Sequence, residues 1–100
     1  MILNKEPYIS SGGWITLNEY VDYKVVSGIV FVKIKKTEAS STWTEIATIP
    51  LGFRPSVNIY NTIFERTSDR MNVYVNSLGS VQIFGDTSGV LSSILSYPLD

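Results

Sequence analysis

From Trp14 to the end of the chain, short runs of alternating apolar and polar residues are broken by turn signals roughly every 8–12 residues. That spacing constrains the fold more than any other feature, because no run is long enough, or has the right period, for a helix. The runs are WITL (14–17), YVDYKVV (20–26), IVFVKIKK (29–36), WTEIATI (43–49), VNIYNTIFER (57–66), RMNVYVN (70–76), VQIFG (81–85) and VLSSILSYPL (90–99). Between them lie Gly28, TEASST (37–42), TSD (67–69), SLGS (77–80) and DTSG (86–89). Gly79 suits the positive φ of a tight hairpin turn. Pro98 cannot donate to a ladder and marks the last run as an edge or an end. The pattern predicts an all-β fold, a single antiparallel β-barrel or sandwich of about seven short strands.

Alternation also predicts the core. Val30, Val32 and Ile34 share one face of their run, and Met71, Val73 and Val75 share one face of theirs. The opposite faces are not simply polar. Phe31, Tyr60, Phe64, Tyr74 and Phe84 all fall on the side away from those aliphatic residues. Three readings fit: burial of the second face against another subunit, a ligand platform, or ordinary core residues in a misjudged register.

With 100 residues the chain has room for one core. MILNKEPYISSGG lacks a sustained period and ends in Ser-Ser-Gly-Gly, so residues 1–12 read as a lead-in or linker and residues 13–100 as the domain. A net charge of −1 gives no electrostatic footprint for nucleic acid or an anionic membrane surface. No apolar run approaches the roughly 18 residues of a membrane-spanning helix. Cys and His are both absent. Disulfides, thiolate metal sites, cysteine nucleophiles and the commonest general base go with them, and no metal or cofactor is expected.

Carboxylates could still act in acid–base chemistry, but a catalytic pair needs one carboxyl in an apolar pocket. ERTSDR (65–70) instead interleaves Glu65 and Asp69 with Arg66 and Arg70, the pattern of a solvated turn. The expectation is therefore a protein that is not an enzyme. Beside Tyr60 and Phe64, the donors and acceptors of Arg66, Asp69 and Arg70 suit sugar hydroxyls. Tyr74 on the returning strand lies opposite. These six residues form the candidate saccharide site, against the plainer reading of a polar hairpin end. Asp86 and Trp43 are reserve candidates, Trp43 being expected in the core.

One stretch remains. EIATIPLGFRPSVNIYN (45–61) places two prolines, a glycine, Phe53 and Arg54 between two β runs. Pro50 stops a strand, Gly52 turns the chain, Phe53 plugs the end of the fold, Arg54 pairs with a carboxylate or carbonyl, and Pro55 leads into the next strand. WTEIATIPLGFRPS resembles a segment recurring in C-terminal domains of phage tail-tip proteins from Gram-positive hosts. The order of Gly13-Trp14, Tyr23-Lys24, GIVFVKI and the Val73–Ile83 hairpin is similar too. The likeness spans about residues 13–100, and its specific part is IPLGFRPS.

The family it resembles is the receptor-binding protein head, best known from lactococcal siphophages. The resemblance implies a trimeric β-barrel head in the virion, at the tail tip or baseplate. Its partners would be host cell-surface saccharide, further copies of itself and other tail or baseplate proteins. Phe31, Tyr60, Tyr74 or Phe84 would contribute to the trimer interface. Heads with a His in the sugar site differ from this chain, which has none, so their binding residues do not transfer. The rival reading is an inert structural or trimerisation module of a tail fibre or baseplate.

Overall fold

A computed structural model describes residues 13–37, 42–66, 69–85 and 91–99. The expected lead-in (1–12), the reserve candidate Asp86 and the centres of the turns at 37–42, 67–69 and 86–89 lie outside the described residues. The described residues form eight strands, all paired antiparallel: β1 (Ile15–Thr16), β2 (Val21–Val26), β3 (Ile29–Thr37), β4 (Thr44–Thr48), β5 (Ile59–Arg66), β6 (Asp69–Val75), β7 (Ser80–Gly85) and β8 (Leu91–Pro98). They make two four-stranded sheets, in the orders β1-β2-β3-β8 and β4-β7-β6-β5. The architecture is a sandwich, as the run pattern predicts, and the short WITL run supplies the two-residue β1 that pairs with β2.

The inner faces follow the alternation. Val21, Tyr23, Val30, Val32, Ile34, Leu95 and Tyr97 from the first sheet meet Met71, Val73, Val75, Val81, Ile83, Ala47 and Ile49 from the second, all buried. Full burial of one such aliphatic side chain contributes about 1.5–3 kcal/mol. Phe31, on the outward parity of β3, is half-buried, while Tyr60, Tyr74 and Phe84 lie on the outer face of the second sheet. Their two-faced strands are therefore real, and the misjudged-register reading is set aside for them.

The turns explain the registers. Val26 pairs with Ile29 across a two-residue loop in which Ser27 has φ 52° and Gly28 φ 79°. Positive φ at both positions is the turn whose twist matches a hairpin. The β6–β7 hairpin is held by Asn76, whose Oδ1 accepts from the backbone N–H of Leu78 and of Ser80, each at 3.0 Å. Pro98 ends β8, which pairs only with β3 and lies at a sheet edge.

The corner at residues 50–55 behaves as a structural device. Phe53 N–H donates to Pro50 O at 3.1 Å, and Gly52 adopts φ 99°. The Phe53 ring packs on the core with its centroid 5.6 Å from Tyr23. Tyr97 Oη donates to Phe53 O at 2.6 Å. Arg54 Nε donates to Ile49 O at 2.7 Å, so its partner is a carbonyl. Ile49 N–H in turn donates to Gly79 O at 2.8 Å. The corner thus clasps the β6–β7 turn. The strand beyond begins at Ile59 rather than Val57, which is exposed, because Pro55 and the bend after it keep residues 55–58 out of the ladder.

Candidate functional site

The outer face of the second sheet can be read row by row from the register. Tyr60, Tyr74, Gln82 and Glu45 form one row across β5, β6, β7 and β4. Thr62, Asn72 and Phe84 form the next. Trp43, one residue before β4, precedes Thr44, which pairs with Ile83, and so falls beside Phe84. Cross-strand neighbours on one face are close enough for aromatic rings to touch. Here the rings form a connected stripe. Tyr60 and Tyr74 have centroids 4.9 Å apart, Trp43 and Tyr74 5.6 Å, and Trp43 and Phe84 5.1 Å, the last pair stacked at 29°.

Trp43 leans over Phe84 towards Tyr74 and leaves a groove of about 320 Å³ lined by Trp43, Tyr60, Tyr74 and Gln82. Its aromatic walls are open to solvent, with Tyr60 65% and Trp43 44% exposed. Trp43 is therefore not a core residue. It precedes an edge strand and takes the outward parity, so no second sheet covers it.

Polar groups border the stripe on both sides. Gln82 Nε2 donates to Ser80 Oγ at 3.0 Å, and Ser80 Oγ donates to Glu45 Oε1 at 2.6 Å. Thr48 Oγ1 donates to Glu45 Oε2 at 3.3 Å. This relay orients the Gln82 amide and leaves its carbonyl oxygen as an acceptor at the groove. On the other side Thr62 Oγ1 donates to Asn72 Oδ1 at 2.8 Å, and Asn72 Nδ2 donates to Phe84 O at 3.3 Å. Among the described residues no cluster of three or more His, Cys, Asp or Glu could hold a metal ion.

Of the six expected site residues, the structure brings Tyr60 and Tyr74 together in direct register. Phe64 pairs with Arg70, and Arg66 with Asp69, at the far end of the same two strands. The side chains of those four lie outside the described residues. Four residues of strand separate Tyr60 from Phe64, about 13 Å. The groove therefore gathers the two tyrosines with Trp43 and Gln82. Gln82 was absent from the sequence reading, although the alternation of VQIFG puts it on the face of Phe84.

The outer face of the first sheet is organised by charge instead. Lys24 Nζ and Lys33 Nζ lie 4.7 and 4.4 Å from the centroid of the Trp14 ring. Lys35 Nζ makes an ion pair with the buried Asp22 Oδ1 at 2.9 Å and donates to Asn18 O at 2.9 Å. Compared with protein families, curated proteins and solved structures, the chain matches none.

Proposed function

We propose that this domain recognises saccharide without catalysing a reaction, through the groove on the outer face of β4-β7-β6-β5. The observation that carries this reading is the open groove of Trp43, Tyr60 and Tyr74 around the Gln82 amide. A sugar presents apolar C–H faces and a rim of hydroxyls. Exposed aromatic rings cover the first, and oriented acceptors meet the second. Gln82 is held for that task by the Ser80–Glu45 relay. Hydrolysis would require two carboxyl groups flanking the bond, and the described residues around the groove offer one, Glu45, already engaged by Ser80 and Thr48.

The resemblance of the IPLGFRPS corner supports the reading of the domain as the head of a phage tail-tip or baseplate adhesin for host cell-wall saccharide. The head would be trimeric, in contact with other tail or baseplate proteins. Phe31 lies on one outer face of the sandwich, and Tyr60, Tyr74 and Phe84 lie on the other. A single isologous patch cannot bury both sets, whereas a head-to-tail contact closing into a ring can. Three weak grooves acting together would bind a repetitive polymer through avidity. The rival reading, an inert structural module, rests on the same exposed rings as a surface awaiting a neighbouring subunit.

The test is titration with purified Gram-positive cell-wall polysaccharide, using a Trp14→Phe variant so that Trp43 is the only indole. Binding should change Trp43 emission, and Tyr74→Ala should abolish it at an unchanged melting temperature. Light scattering should give about three chain masses. A folded protein that binds no polysaccharide would leave the structural-module reading in possession. A monomer would remove the ring.

A further inference from the structure

The groove crosses the sheet rather than following a strand. One wall residue, Tyr60, stands on β5, and the other, Trp43, stands at the start of β4. These are the two edge strands of the sheet. The site therefore runs from edge to edge, and neither end meets a further strand among the described residues. Tyr60 and Trp43 at its two ends are both exposed.

Neighbouring strands lie about 4.7–4.9 Å apart, and Tyr60 and Tyr74, directly opposite on β5 and β6, keep that interval with centroids 4.9 Å apart. Trp43 stands two strands from Tyr74 and leans across Phe84 to 5.6 Å, so the two intervals are similar. This is close to the length one pyranose adds to an extended oligosaccharide. The volume of about 320 Å³ has room for about two hexose rings, more than a single terminal sugar fills.

From this we infer that the groove takes an internal stretch of a linear saccharide, at least two linked rings long, laid across the strands from Trp43 over Gln82 to Tyr60. The inference rests on the saccharide reading above and adds length, direction and indifference to chain ends. One ring lies over Trp43 and Tyr74, where the Gln82 carbonyl accepts from a hydroxyl. The next lies on Tyr60 and Tyr74, and the chain leaves over both edges of the sheet.

The experiment titrates the whole chain with oligosaccharides of graded length, from one to six units, made by partial hydrolysis of the polysaccharide. A second set has the reducing end reduced and the other end capped. Affinity should rise about tenfold or more from one unit to three, then level off. End-blocked trimers should bind within about twofold of unblocked ones. Tyr60→Ala should remove most of the gain with length, so that the trimer binds within about twofold of a single unit. A single unit that binds as tightly as the trimer overturns the inference and leaves the saccharide reading standing, as does loss of binding on blocking the ends. Failure of every length and of the parent polymer overturns both, as would capture of a proline-rich peptide in their place.

Discussion

Replacing Gly79 by alanine tests whether the corner is clasped onto the β6–β7 turn. Gly79 has φ 86°, a conformation that costs an L-residue about 1–2 kcal/mol. A Cβ there would also stand 2.6 Å from Arg54 Nε, 2.6 Å from Ile49 O and 3.0 Å from Arg54 Cδ. Those atoms are the two partners of one charge-assisted hydrogen bond. The guanidinium must leave, and because Ile49 O is backbone and cannot rotate away, the turn must also shift to clear it. Loss of that bond adds about 1.5–3 kcal/mol. The expected total is about 3–5 kcal/mol, which lowers the melting temperature of a domain this size by about 15–30 °C. Gly52 is the control. It has φ 99° with no atom within 4 Å of a built Cβ, so Gly52→Ala should cost only the strain, about 1–2 kcal/mol. Urea unfolding followed by circular dichroism measures both. The cost of Gly79→Ala should shrink in an Arg54→Ala background but stay above that of Gly52→Ala, because the contact with Arg54 is gone while the one with Ile49 O remains. Equal losses at Gly52 and Gly79 would refute the clasp and show that the turn relaxes without it.

Phe53→Ala should destabilise by roughly 3 kcal/mol, the low end for a buried aromatic, because the ring is half-buried and packs on Tyr23. Chemical denaturation checks it, and polysaccharide affinity of the folded fraction should not change. Burial pushes the Tyr97 phenol up to about 12, with Tyr23 beside it adding to the effect. The folded state favours neutral Tyr97, so its contribution is complete below pH 10 and is lost as pH rises from 10 through 12. That amounts to about 2–3 kcal/mol. Tyr97→Phe should cost about 1–2 kcal/mol at neutral pH through the lost bond to Phe53 O, and its deficit should narrow across that alkaline window. Parallel unfolding curves for the two proteins from pH 9 to 12 would contradict this. Ser27→Asn should stabilise by about 0.5–1 kcal/mol, since Asn tolerates the φ of 52° better than Ser, and a thermal melt reads the gain.

The aromatic stripe separates what was legible from what was not. Tyr60 and Tyr74 could be paired on paper, because a short turn between β5 and β6 makes the strands neighbours and alternation assigns the face. Gln82 and Phe84 were within reach by the same logic across the β6–β7 turn. Trp43 was not. Its place depends on β4 pairing with β7, a contact between segments far apart in sequence with the corner and the β5–β6 hairpin between them. The ladder also shifts register between Glu45 and Ala47, so even a correct strand pairing would not place it by counting. The expected site at Arg66, Asp69 and Arg70 followed from composition at a turn, and composition cannot say which end of a hairpin the rest of the sheet completes.

By itself, the sequence determined the strands, the turns and the inward faces of most strands, because each depends on neighbours a few residues away. Positive φ at Gly28, Gly52 and Gly79, alternation through Val30, Val32 and Ile34, and prolines flanking the corner are local chemistry. Tertiary structure alone decided which strands became edges, which carbonyl Arg54 would find, and which outward rings would meet. Those outcomes turn on pairing between distant segments, where many registers bury similar apolar area and only the packed whole selects one.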